Sequence, residues 1–227
     1  IKVSGYELQT FSESEKLKME LQSFGFYYSK HPISLVRKTL SSKIQPINRL
    51  VTTPNEKYIP ALINHKRIVK KGPNVFVFLE ISDETGLIDV SVPVELHDEK
   101  KPLFKENSVV MIKGKVVADD YRKGNLEDVG IKVRASDVMP IEIARKTVTS
   151  RIRLDVSREK LKELGNGKFD ELQSLNDPDG IDVVLNLKDD DLNISSEVKV
   201  DTFKISLEDS TFEKINELFG DESYKLF

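Results

Sequence analysis

The chain has 227 residues, 38% of them hydrophobic, with 35 Lys+Arg against 38 Asp+Glu for a formal net charge of −3. This length allows one to three domains, and this hydrophobic content is enough for ordinary globular cores. The sequence contains no cysteine, which excludes disulfides and thiolate metal sites, and no apolar run approaches membrane-spanning length. We therefore expect a protein of a reducing compartment, the cytoplasm, without membrane association. Because residue 1 is isoleucine, we also expect a fragment or a processed product of a longer chain.

The charge is divided unevenly along the chain. Residues 1–154 carry 26 Lys+Arg and 19 Asp+Glu, a net +7, whereas residues 155–227 carry 9 and 19, a net −10. Charge of opposite sign in two parts of one chain suggests different partners. The basic part suits nucleic acid, and the acidic part, which a phosphate backbone would repel, suits protein.

Residues 1–57 are predicted to form a helical segment and a linker. Ser12 or Ser14 can cap a helix that Gly25 then ends. The His31-Pro32 pair breaks the backbone pattern, because the residue before a proline avoids the helical region. The other elements predicted here are a second short helix over 34–40 and a linker over 41–57.

Residues 58–139 are predicted to fold as a five-stranded OB-fold barrel. Alternating apolar residues and turn chemistry mark the strands, and a helix separates the third strand from the fourth. Three strands, a helix and two more strands is the order of an OB-fold. The predicted strands cover 58–67, 74–82, 87–94, 108–118 and 126–135, with the helix over 95–104.

The outer face of this barrel is predicted to bind single-stranded DNA. Val77 and Leu79 can fill the core, so Phe76 and Phe78 face the other way, as the parts of a stacking platform for bases. A polar sheet face in water explains the cations alone, but the phenylalanines favour a binding face. The alternation of the later strands adds outward cations at Lys113, Lys115, Lys132 and Arg134.

Two predicted loops add further candidate residues. OB-folds bind oligonucleotides with the loop between strands one and two and the loop between strands four and five. The first of these loops is predicted to hold Lys66, Arg67, Lys70 and Lys71. The second is predicted to hold Tyr121, Arg122 and Lys123.

Residues 140–227 are predicted to form an acidic domain that binds protein. The pattern from residue 151 is strand, helix, strand, strand, helix, strand, which is the order of a split βαβ (ferredoxin-like) sandwich. The whole chain is therefore expected to be α+β. The predicted strands cover 151–156, 181–187, 192–200 and 222–226, with one helix after Ser157 and another over 207–219.

The sequence shows no catalytic constellation. The three histidines lie in separate segments, and there is no glycine-rich phosphate loop. Asp189, Asp190 and Asp191 could bind a cation, but a solvated hairpin turn is favoured because no further ligand has suitable spacing. The residues indicate a binding module with no catalytic residue, no metal ligand and no cofactor.

Several segments resemble bacterial DNA polymerase III alpha subunits. The run FGFYYSKHPI at 24–33 is similar to the "lGlYlSgHPl" run of that family. The segments KKG at 70–72 and LEISDETG at 79–86 are similar to its "KrG" and "leDrtG" patterns. The resemblance covers roughly residues 15–145, and only the order of elements continues it afterwards.

The resemblance implies the C-terminal region of a replicative polymerase. Its parent chain would be a DNA-directed DNA polymerase, a nucleotidyltransferase that uses magnesium, while this fragment would itself be non-catalytic. The OB domain would hold single-stranded template, the terminal domain would dock to the clamp-loader tau subunit, and a sliding clamp could bind through upstream sequence. The main alternative is a free-standing OB-fold adaptor that binds RNA or protein. A synthetase anticodon-binding domain is a further alternative, which leaves the His31-Pro32 segment unexplained.

Overall fold

The computed structural model describes residues 11–119, 130–163, 169–189, 194–220 and 223–227. The first helix, α1 (Glu13–Phe24), begins and ends where the sequence predicts. Ser12 and Glu15 form a reciprocal capping box at its start, and Gly25 closes it in the left-handed conformation at φ 77°. In the described part of the chain, no helix is both long and apolar enough to cross a lipid bilayer.

The second helix, α2 (Pro32–Arg37), begins two residues earlier than predicted. His31 is the N-cap in an extended conformation, and Pro32 takes the first helical turn, where its missing N–H costs nothing. The Nδ1 atom of His31 accepts a hydrogen bond from the Ile33 N–H at 3.2 Å. On the other side of the ring, Nε2 lies 2.9 Å from the hydroxyl of Ser82, which donates to the side-chain oxygen of Asn64 at 2.9 Å. This chain of bonds requires a neutral ring with its proton on Nε2.

The predicted linker over 41–57 is a packed part of the barrel. A 3₁₀ turn at Ile47–Arg49 buries Ile47 and places Leu50 in the barrel core. The carboxylate of Asp83 accepts the Ile47 N–H at 2.8 Å, which fixes the turn against the barrel. The composition of this segment is typical of a loop, so only its tertiary contacts distinguish it from a linker.

A closed five-stranded barrel follows. Its strands are β1 (Glu56–Lys71), β2 (Asn74–Asp83), β3 (Gly86–Val92), β4 (Val109–Ala118) and β5 (Ile131–Met139). They pair in the order β1-β2-β3-β5-β4, and β4 returns to β1. All of these pairs are antiparallel except β3 with β5. A short helix, α3 (Val94–Glu99), and a 3₁₀ turn (Lys101–Leu103) separate β3 from β4, so the predicted OB-fold is confirmed.

The alternating apolar residues fill the barrel as predicted. Val77, Leu79 and Ile81 of β2 are buried together with the inward residues of the other strands and with Phe104. Each fully buried side chain of this size contributes about 1.5–3 kcal/mol relative to exposure. Burial of one inward face per strand therefore stabilises the barrel.

The outer face of the barrel is covered in one sector. Met111 shares the outward side of β4 with Lys113 and Lys115 by alternation, yet it is fully buried beneath Leu40, Ile141 and Ala144. The last two residues belong to α4 (Ile141–Val148), which follows β5 directly. Because this sector is covered, a ligand can reach only part of the outer barrel surface that the outward residues define.

The terminal domain contains a four-stranded sheet whose strand order differs from that of a split βαβ sandwich. The predicted elements are present, as β6 (Arg151–Ser157), α5 (Arg158–Glu163), β7 (Asn176–Asp189), β8 (Ile194–Ile205), α7 (Asp209–Phe219) and β9 (Tyr224–Leu226). One further short helix that the sequence did not predict, α6 (Phe169–Gln173), lies between α5 and β7. The strands are ordered β8-β7-β6-β9 in the sheet. Strands β6 and β7 are parallel and directly paired, so no strand separates them, and β9 and β8 add antiparallel at the two edges.

One face of this sheet packs against α7. Phe212 and Ile215 of the helix are buried with Ile152 and Leu154 of β6 in a core separate from that of the barrel. Arg145 of α4 joins the two parts of the chain. It is buried, forms an ion pair with Asp209 at 2.5 Å and lies over the Phe212 ring at 5.5 Å.

Candidate nucleic-acid interface

Two phenylalanines stand on the outer face of β2, as the sequence predicts. Their ring centroids lie 6.4 Å apart and the ring planes differ by 15°. Phe76 is 44% exposed and Phe78 is half-buried, while Val77 between them is in the core. The rings therefore form a small open platform of the kind on which bases stack.

Arg67 completes this platform from the neighbouring strand. It pairs with Phe78 across the β1–β2 ladder, and its guanidinium lies 5.5 Å from the centre of that ring. This cation–π contact holds the charge beside the aromatic face. The arrangement places a phosphate-binding group next to a stacking surface.

The predicted loop between the first two strands is in fact strand. β1 continues to Lys71 and turns only at Gly72, whose φ of 61° suits glycine. Because residues opposite each other in a ladder share a face, Lys66 and Lys70, which pair with Leu79 and Val75, lie on the side of the hairpin away from the two phenylalanines. Val69 pairs with Phe76, and Lys71 lies two residues further along β1. Lys71 therefore faces the same side of the hairpin as the phenylalanines and Arg67.

Pairing between strands extends the platform around the barrel. Phe78 of β2 pairs with Ser91 of β3, Ser91 with Arg134 of β5, and Arg134 with Lys115 of β4. Three strand spacings of about 4.8 Å separate Phe78 from Lys115, so this row is about 14 Å long. Arg134 and Lys115 are exposed, and neither forms an ion pair with another residue that the structure describes. We call Arg67, Phe76, Phe78, Ser91, Arg134 and Lys115 the aromatic–basic surface.

Gly114 makes this row possible. A Cβ at that position would collide with the backbone oxygen of Arg134 and lie 2.9 Å from Cγ1 of Val133. The ladder shifts register between Lys113 and Gly114, which sets Lys115 opposite Arg134. Only a residue without a side chain allows β4 and β5 to approach this closely.

The other two predicted cations of the sheet are engaged by carboxylates. The Nζ atom of Lys113 lies 3.1 Å from Glu56 and 5.6 Å from the centre of the Tyr58 ring. Hydrogen bonds from Ser136 and Lys113 lower the pKa of Glu56, and the bond to Glu56 raises the pKa of Lys113. Lys132 lies 3.2 Å from Asp119. Both lysines are on the outer surface, as predicted, but their charges are partly neutralised.

An acidic pair limits the surface on one side. Glu80 and Asp89 are neighbours across β2 and β3, one row away from Phe78 and Ser91. Carboxylates repel a phosphate backbone, so they favour a path along the aromatic–basic surface. The alternation along the two strands sets Glu80, Asp89 and Ser91 outward, but only the cross-strand pairing shows which of them lies beside Phe78. The predicted residues Tyr121, Arg122 and Lys123 lie outside the described residues.

The described part of the chain contains no candidate metal site. Across those ranges, no group of three or more His, Asp or Glu side chains is placed to hold a metal ion. The aromatic rings and cations described above can bind a ligand through stacking and charge.

Comparisons with known proteins support this interpretation of the barrel. Residues 61–141 match the tRNA anti-codon family model, described as an OB-fold nucleic acid binding domain. The chain is 26% identical over 159 residues to DNA polymerase III subunit alpha of Aquifex aeolicus, covering 69% of this chain and 13% of that protein. It is 28% identical over 148 residues to the same subunit of Neisseria meningitidis serogroup A, covering 63% and 12%.

The resemblance to bacterial DNA polymerase III alpha subunits is thereby confirmed, and the closed barrel is an OB-fold that is similar over residues 61–141 to a nucleic acid binding domain. The chain spans only 12–13% of the length of these relatives. A solved Replication Protein A heterotrimer bound to ssDNA is similar at 16% identity with a TM-score of 0.35, covering 68% of this chain and 37% of that one.

Proposed function

We propose that the barrel binds single-stranded DNA on the aromatic–basic surface. The observation that supports this most directly is the row from Phe78 through Arg134 to Lys115, with Arg67 held over the Phe78 ring. Bases stacked on aromatic rings contribute about 1–3 kcal/mol each, and cations beside them neutralise the phosphates. Neither interaction depends strongly on base identity, so binding is expected to tolerate sequence.

DNA is proposed over RNA because the relatives are subunits of a DNA polymerase. In the longer protein, we propose that this domain holds template strand near the polymerase site, and that magnesium and the catalytic groups lie elsewhere. The second candidate, an adaptor that binds RNA, is favoured by the match to a family named for the tRNA anti-codon. Titrating the chain with a single-stranded DNA and an RNA of the same sequence distinguishes the two.

The test of the surface uses charge reversal with a matched control. Arg134→Glu and Lys115→Glu remove two exposed cations, and each phosphate that is no longer neutralised should reduce the slope of log K against log salt by about 0.7 for a single strand. Lys146→Glu changes an exposed lysine on α4, away from the surface, and should leave that slope unchanged. Equal slopes for all three variants would overturn the assignment of the surface.

We further propose that residues 140–227 dock to protein, with the clamp-loader tau subunit as the first candidate through the polymerase resemblance. The net charge of −10 over 155–227 disfavours DNA within a Debye length of about 8 Å at physiological salt. Basic residues of a partner would be attracted, so association should slow as salt is raised. Titration of the chain with purified tau measures this, and absence of binding at low salt would remove the docking role.

A further inference from the structure

Strand β8 is an open edge of the terminal sheet. It pairs with β7 on one side, and within the described ranges no strand pairs with its other side. Residues 194–200 pair one for one with residues 189–183 without a register shift. An edge strand presents a row of unpaired backbone N–H and C=O groups to which another chain can add.

The apolar face of the sheet is left uncovered at this edge. The face that packs under α7 is fully buried at Leu154 of β6 and at Val183 of β7. On the same face, Leu185 of β7 is only partly buried, and Val198, which pairs with it, is 45% exposed. The helical layer therefore ends before β8, and the apolar face continues beyond it into solvent.

Residues 194–200 lack most of the usual protections of an edge strand. Natural edges are protected by proline, by a bulge, by charged side chains such as lysine, or by a charge that points to the apolar side. Residues 194–200 contain no proline or glycine and no bulge. Lys199 lies on the polar face, where it forms an ion pair with Asp182 at 3.2 Å. A surface with this geometry accepts an added strand.

The charges around β8 favour one class of protein segment as its added strand. Besides the lysine, the polar face of the edge carries Glu197, which is 57% exposed although it lies 3.4 Å from Arg153. Asp182 and Asp201 lie within ion-pair distance of Lys199. A second copy would bring two segments of charge −10 together, which charge repulsion opposes. A partner with Lys or Arg on one face and apolar side chains on the other would match both faces of the edge.

We propose that β8 takes, as an added strand, an extended segment of another protein in which apolar and basic residues alternate. The apolar side chains of that segment would continue the face of Ile194, Val198 and Val200, and its basic side chains would meet Glu197 and its neighbours. This inference rests on the docking role proposed for residues 140–227 and names the surface that performs it.

The test uses the full chain with two capped heptapeptides, alternating Lys-Val and alternating Glu-Val. Hydrogen exchange reports which amides become protected, and the expected result is slower exchange at alternate residues of 194–200 with the Lys-Val peptide. The Glu-Val peptide should bind at least about tenfold more weakly because of like-charge repulsion.

Two variants of similar exposure test the position. Val198→Lys places a charge on the apolar side of the edge and should weaken the Lys-Val peptide at least about tenfold. Leu161→Lys makes the same change on α5, at 48% exposure against 45%, and should stay within about twofold of the unmodified chain.

Protection elsewhere than β8, or equal binding by the two variants, would overturn the proposal. Concentration-dependent dimerisation that Val198→Lys abolishes would make a second copy the occupant and overturn it as well. Titration with tau distinguishes a failure of the edge proposal from a failure of the docking role. Tau binding that Val198→Lys leaves unchanged would overturn the edge proposal alone, whereas absence of tau binding by the unmodified chain would count against the docking role.

Discussion

Replacing Phe76 by alanine should impair binding of single-stranded DNA more than it impairs folding. Phe76 is 44% exposed, and its main ring neighbour is Phe78 at 6.4 Å. Complete burial of such a side chain contributes about 1.5–3 kcal/mol, so the part that is buried here contributes about 1–2 kcal/mol. Truncation at a solvent-facing position leaves no enclosed cavity, so no further cost is expected.

The expected loss of affinity for single-stranded DNA is a large change in the dissociation constant. A base that no longer stacks forfeits about 1–3 kcal/mol, and at about 1.4 kcal/mol per tenfold the dissociation constant should rise about 5- to 150-fold. Fluorescence anisotropy with a labelled oligothymidine at fixed salt measures this loss, and thermal melting followed by circular dichroism measures stability.

Leu79→Ala is the matched control on the same strand. Leu79 is 1% exposed and faces the core, so its truncation should cost about 2–5 kcal/mol through the cavity that it leaves. At a temperature where the Leu79 variant is still folded, it should bind DNA with nearly unchanged affinity. A melting temperature for Phe76→Ala as low as that of Leu79→Ala, or unchanged DNA binding, would refute the assignment of the outer face.

Three further outcomes are expected. Gly114→Ala should destabilise the chain by about 1–3 kcal/mol in denaturant titration, because the new Cβ meets the Arg134 backbone. Gly86→Ala is the control and should be nearly neutral, because a Cβ there makes only an ordinary contact at 3.8 Å. Similar losses of stability for both variants would contradict this account. Burial lowers the pKa of His31 in the folded chain, against the opposing effect of Glu84 and Asp83. As the pH falls below about 6.5, the unfolded chain therefore takes up a proton on this residue before the folded chain does. The free energy of unfolding that His31 contributes above that pH should decline as the pH falls toward the pKa of the folded chain. The difference in melting temperature between the unmodified chain and His31→Asn should therefore shrink with acid, and a constant difference from pH 8 to 5 would argue against a neutral cap. Given primed template, nucleotides and magnesium, the purified chain should incorporate nothing, since phosphoryl transfer needs clustered metal-binding carboxylates; incorporation that survives further purification would disprove this.

The local pattern of the sequence determined most elements and their faces. Alternation along β2 assigned Val77 and Leu79 to the core and Phe76 to the outside, because successive side chains of a strand point in opposite directions. Ser12 or Ser14 marked the start of α1 for a similarly local reason, and the structure shows that Ser12 is the cap. The order of strands and helix along the chain then indicated the OB-fold.

The tertiary structure decided which outward residues meet. Arg134 and Lys115 become neighbours through a register shift at Gly114, and Ser91 joins them to Phe78 only because β3 pairs with β5 in parallel. Such pairings join residues far apart in the chain, so the local pattern that sets the face of a side chain does not set its cross-strand neighbour.

The same reason explains the predictions that were wrong. Lys66 and Lys70 were expected in the loop between the first two strands, but β1 continues as strand and places them on the side of the hairpin away from the phenylalanines. Met111 follows the outward alternation of β4, yet α4 and the chain before the barrel cover it. The direct pairing of β6 with β7 likewise depends on how a long connection returns to the sheet. Local sequence determines conformation and amphipathic faces, whereas contacts between distant segments decide which of those faces remain open to a ligand.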